Sequence, residues 1–69
     1  MEDTQIIQWC LDNIRLLTST QRPTREEAET VFKIANLVDD TQTHKMTQCG
    51  RCYENAKKAI RINLPTLFQ

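Results

Sequence analysis

Apolar residues recur at helical spacing in three separate stretches of this chain and alternate with period two in none. A repeat near 3.6 marks an amphipathic helix and a repeat of 2 a half-buried strand, so the pattern restricts the chain to an all-α fold. With 69 residues it is read as one helical domain over 1–69. A hydrophobic core of this size supplies roughly 3–5 kcal/mol, so such a chain usually draws on disulfides, a metal, an oligomeric partner or very regular helix packing.

The first helix is expected from Gln5 to about Thr18, capped by Asp3 or Thr4, with Ile6, Ile7, Cys10, Leu11, Ile14 and Leu17 on its broad inner face. Trp9 and Leu16, seven residues apart, fall on a flank outside that face. Thr24-Arg25-Glu26-Glu27 has the form of a capping box and opens the second helix, whose face is Ala28, Val31, Phe32, Ala35 and Val38, with Ile34 at its edge and Leu37 pointing elsewhere. Asp39-Asp40 disfavours a helix C-terminus, so this helix ends near Val38.

A third helix is expected from about Lys45 to Asn63, capped by Asp40, Thr41 or Thr43, or from near Thr47 or Cys49 if Gly50 delays it. Met46, Cys49, Cys52, Tyr53, Ala56, Ala59 and Ile60 share its inner arc; Glu54 and Lys58 are spaced for an ion pair on the outer one. Pro65 stops it and leaves an apolar tail, Leu64-Pro65-Thr66-Leu67-Phe68-Gln69. With short connections the expectation is a small antiparallel three-helix bundle with an apolar C-terminal tail.

Nine basic and nine acidic residues balance to zero, which argues against the chain-wide positive field of a free-standing nucleic-acid binder. The charge is unevenly placed. Residues 1–40 carry eight acids and four bases, net −4, and residues 41–69 one acid and five bases, net +4. That polarity can brace the fold or match head-to-tail copies of the chain. The acidic start Met1-Glu2-Asp3-Thr4 and the absence of any long apolar run predict a cytoplasmic protein without a membrane segment.

The sharpest local pattern is Cys49-Gly50-Arg51-Cys52, preceded by His44. His44, Cys49, Cys52 and Cys10 make a conceivable zinc set, but a lone C-x-x-C is a weak signature and the cysteines also suit a buried arc, so no metal is expected. A redox reading of the same motif needs a βαβ context, and no strand is readable. His44 is expected to be a solvated or capping histidine. Catalysis has little support: there is no phosphate-binding loop and no nucleophile elbow, and Glu26, Glu27 and Glu29 suit a capped helix start.

Two binding surfaces remain. The basic stripe Arg51, Lys57, Lys58 and Arg61, with Lys45, suits phosphates, and helices two and three can be drawn as a helix-turn-helix. The connection is long for that motif, and Glu54 interrupts the stripe. The apolar surplus of Trp9, Leu16, Leu37, Leu64, Leu67 and Phe68 is larger than one small core readily absorbs. It therefore either anchors a partner or folds back to close the core. The leading expectation is a non-enzymatic interaction module, without cofactor, that docks on another protein or on itself through Trp9, Leu16, Leu64, Leu67 and Phe68. The alternative is a small nucleic-acid-binding regulator using the basic stripe.

Overall fold

The computed structural model describes residues 2–47 and 49–68. Among these the chain is all-α, with four helices and a final 3₁₀ turn: α1 (Asp3–Asp12), α2 (Ile14–Thr18), α3 (Arg25–Val38), α4 (Gly50–Asn63) and Pro65–Leu67.

The first expected helix is present but broken. Asn13 leaves helical geometry (φ −121°, ψ 29°), and both its backbone N–H (3.0 Å) and its side-chain Nδ2 (2.9 Å) donate to the Trp9 carbonyl. An asparagine amide offers the backbone an alternative to the helical ladder, and here it ends α1 and redirects the chain into α2. The inner face of α1 consequently becomes Ile6 and Cys10, both buried, with Trp9 half-buried beside them. Ile7 and Leu11, expected inside, stay 39% and 49% exposed. Past the break Leu16 and Leu17 both turn into the core, Leu16 being only 3% exposed. The cap also differs from expectation: it is Glu2, whose N–H donates to Gln5 Oε1 at 2.9 Å.

Helix α3 begins at the expected capping box. The Glu27 N–H donates to Thr24 Oγ1 (3.2 Å) and the Thr24 N–H to Glu27 Oε1 (2.8 Å). Val31, Phe32, Ile34 and Ala35 are buried, Ala28 and Val38 pack at the margin, and Leu37 faces outward. Helix α4 starts later than Lys45, at Gly50, with Cys49 as its N-cap in extended geometry. The side chains of Met46 and Cys49 therefore do not share its inner arc, and both are exposed. Tyr53, Ala56, Lys57, Ala59 and Ile60 form the buried face of α4.

The antiparallel relation holds for α2 against α4 and fails for α3 against α4. The cause is loop length. Lys57 reaches Ser19 while Arg61 reaches Leu17, so α2 runs opposite to α4. In contrast, Ala28 and Phe32 share a hollow with Gly50 and Tyr53, the early residues of each helix, and Asp39 shares another with Lys58, Ile62 and Asn63, near both ends. Helices α3 and α4, the most extensively packed pair, thus run in the same general direction. A 14-residue helix rises about 21 Å, and the chain from Asp39 to Cys49 is long enough to return that distance at roughly 3.3 Å per residue.

Two hydrogen bonds fasten this return segment to α3: Asn36 Nδ2 donates to the His44 carbonyl (2.7 Å) and the His44 N–H to Asn36 Oδ1 (2.6 Å). Pro65 ends α4 as expected, and the tail folds back against α1 and α4 rather than extending into solvent. Leu64, Leu67 and Phe68, like Trp9, pack on the margin of the core. No described helix is long and apolar enough to cross a membrane.

Candidate functional site

The four bases of the expected phosphate-binding stripe divide into two pairs. Arg51 and Lys58 are exposed. Lys57 is 1% exposed and its Nζ donates to the Ser19 carbonyl at 2.6 Å and to Glu54 Oε1 at 3.2 Å, lying 5.2 Å from the centre of the Tyr53 ring. Arg61, half-buried one turn later, donates to the Leu17 carbonyl at 2.8 Å. The last carbonyls of a helix lack intrahelical partners and carry the negative end of its dipole. Lys57 and Arg61 satisfy that end of α2, and in doing so tie α2 to α4. The solvated stripe is corrected accordingly, since neither base is free to meet phosphates. Glu54, expected to pair with Lys58, pairs with Lys57 instead.

His44 is also corrected. It is buried, and its Nε2 lies 2.8 Å from Oδ2 of the buried Asp39. The Thr41 hydroxyl, His44 and the Thr41 N–H all hydrogen-bond the Asp39 carboxylate and hold its pKa well below the usual carboxylate range. An ionised carboxylate only accepts, so Nε2 carries the proton of this contact. The pair pins the start of the return segment to its middle. It stands as a carboxylate–imidazole couple, and the hydroxyl bonded to it, that of Thr41, donates to Asp39 rather than to the imidazole, an arrangement that holds the loop together.

Cys10 is fully buried in the core, where desolvation pushes its thiol pKa up, whereas Cys49 is exposed at the start of α4 and Cys52 is half-buried one turn on. Among the described residues no three His, Cys, Asp or Glu side chains converge as a metal-binding group. The set His44, Cys49, Cys52 and Cys10 is therefore not brought together.

The five apolar anchors expected to face a partner are largely used within the chain. Leu16 belongs to the core, a correction that follows from the break at Asn13. Leu64, Leu67 and Phe68 are half-buried against the core with Trp9, whose remaining edge borders a shallow surface shared with Thr4, Gln5, Gln8 and Asp12. The apolar surface left outside is different. Ile7 and Leu11 lie one turn apart on the outer side of α1, and Ile7 borders a hollow with Ile6, Val38 and Leu64. On α4, Ile62, 63% exposed, follows Arg51, Asn55 and Lys58 along the outer stripe. The signal for Ile7 and Leu11 was the excessive width of the first helix's apolar face, too broad for one small core. Comparison with known proteins returns no matching family, no matching curated protein and no matching solved structure.

Proposed function

We propose that the chain is a non-enzymatic interaction module that assembles with further copies of itself, the outer stripe of α1 docking on the outer stripe of α4. The observation that carries this reading is the exposure of Ile7 and Leu11 one turn apart on α1 and of Ile62 on α4, while the tail is packed against the core and the remaining exposed apolar side chains, Leu37 and Met46, lie on other elements. Large apolar side chains grouped on one surface are typical of association sites. The second copy is favoured by complementary charge. The α1 stripe is flanked by exposed Asp3 and Asp12, whereas the α4 stripe sets exposed Arg51 and Lys58 beside Ile62. Opposite charges at the rim orient such an encounter, while the apolar centres hold it. A contact between two different faces of one molecule is head-to-tail and can propagate into rings or filaments.

The discriminating experiment mixes two variants, Leu11→Glu, which disables the α1 face, and Ile62→Glu, which disables the α4 face. Each alone should remain monomeric at concentrations where the native chain associates. Their equimolar mixture should restore one-to-one dimers and nothing larger, because one intact face remains on each molecule. Association of either variant alone, or no association on mixing, would sink the head-to-tail reading. The nucleic-acid alternative retains only Arg51 and Lys58 of its four stripe residues in solvent, and no observation favours it over association with protein.

A further inference from the structure

The two cysteines of the motif Cys49-Gly50-Arg51-Cys52 have no part in the assembly reading, and their placement has a chemistry of its own. Cys49 is the N-cap of α4 and Cys52 occupies the third helical position. At a helix start these positions face each other: the N-cap side chain lies over the backbone N–H three residues on. The neighbouring Cys52 thiol and N–H, with the Arg51 guanidinium nearby, lower the Cys49 thiol pKa from its ordinary value, although the Cys49 side chain makes no capping hydrogen bond. Residues i and i+3 at a helix start are separated by roughly 5–6 Å between Cα atoms, inside the range a disulfide spans. The intervening Gly50 adds no obstruction, since even a Cβ there would meet nothing within 4 Å. Approach from solvent is open at Cys49 and restricted at Cys52.

We propose that Cys49 and Cys52 form a reversible thiol–disulfide exchange site, with Cys49 as the attacking and Cys52 as the resolving sulfur, and a small disulfide such as glutathione disulfide as co-reactant. The sheet context that usually accompanies C-x-x-C is absent among the described residues, but the chemistry needs only the helix N-terminus and a second thiol within reach. Cys49, as thiolate, attacks one sulfur of glutathione disulfide; the S–S bond breaks, a Cys49–glutathione mixed disulfide forms and one glutathione thiolate leaves. Cys52 then loses its proton and attacks the Cys49 sulfur, expelling the second glutathione. Two electrons pass from the chain to glutathione disulfide, and the two cysteine protons end on the two glutathione molecules. Cys10, closed inside the core, takes no part and serves as an internal control.

The test equilibrates the native chain with glutathione and glutathione disulfide at neutral pH without oxygen, quenches with acid, and maps alkylated and disulfide-linked cysteines by mass spectrometry. The expected product links Cys49 to Cys52 and leaves Cys10 alkylatable after unfolding. Reduced Cys49 and Cys52 under excess glutathione disulfide, or a glutathione adduct on Cys49 that Cys52 never displaces, would overturn the proposal. Cys52→Ser should accumulate a stable adduct at Cys49, and Cys49→Ser should react at Cys52 at least roughly threefold more slowly. Equal rates in the two variants would overturn the division of roles. The native-chain result stands without either variant.

Discussion

Replacing Lys57 tests whether its ammonium belongs to the interior, and the two informative substitutions differ in what they remove. Lys57→Ala deletes three buried methylenes, about 2 kcal/mol at roughly 0.8 kcal/mol each. It also removes the charge-assisted bond to the Ser19 carbonyl, typically about 1.5–3 kcal/mol. Part of that second amount returns, because the ammonium no longer has to be desolvated and exposed Ser19 lets water reach its freed carbonyl. The net expectation is a loss of about 3 kcal/mol for Lys57→Ala, a large share of the stability of so small a domain. Lys57→Met keeps most of the buried volume and should cost about 1 kcal/mol. Urea unfolding followed by far-UV circular dichroism reads both. If Lys57→Ala falls within about 0.5 kcal/mol of the native chain, as exposed positions do, the placement of Lys57 under α2 is refuted.

The remaining expectations follow from the same packing. Leu16→Ala should destabilise by about 2–5 kcal/mol while Leu11→Ala stays within about 1 kcal/mol in dilute solution, and comparable losses in urea titrations would contradict the break at Asn13. The lowered pKa of Asp39 means that its folded carboxyl binds a proton less readily than the unfolded one, so its contribution is present above about pH 4 and lost as pH falls through the folded value. Asp39→Asn should thus reduce stability near neutrality, and the gap from the native chain should close on acidification; a gap that widens in acid would reverse the assigned sign. Gly50 has ordinary negative φ and open space at its Cβ position, so Gly50→Ala should stabilise by about 0.5 kcal/mol, and a thermal midpoint lower than native would show that the start of α4 is misplaced.

What was legible in the sequence was what short-range chemistry decides. The Thr24–Glu27 box, the end of α3 before Asp39-Asp40 and the stop at Pro65 each depend on neighbours within a turn, and all appear where their residues place them. Leu16 was misplaced because helical periodicity assumes an unbroken helix, and the Asn13 amide competes for the Trp9 carbonyl. Lys57 carried a readable signal that its charge obscured: Tyr53 lies four residues before it and Ile60 three after, both buried, so position 57 falls inside the inner arc. A lysine there needs acceptors, and those come from Ser19, distant in sequence. The same holds for His44, whose partner Asp39 was read only as a helix terminator.

The direction of α4 illustrates how one boundary propagates. Starting that helix at Lys45 leaves a short connection, and a short connection implies antiparallel neighbours. Starting it at Gly50 leaves a segment long enough to run back along α3, where Asn36 receives it. Glycine at the first turn rather than inside the helix was the cue. The two outer stripes are the exposed sides of α1 and α4, two different helices of one small molecule. Two different sticky faces, of opposite charge, are what a head-to-tail assembly requires.

Solution mass measured from micromolar to millimolar chain concentration tests that assembly most directly. The expected result is a weight-average mass near 8.1 kDa at the lowest concentrations, rising steadily with concentration. The rise should weaken as salt screens the Asp3 and Asp12 side of one copy from the Arg51 and Lys58 side of the next. A mass that stays at 8.1 kDa across the whole range would contradict self-association through these stripes.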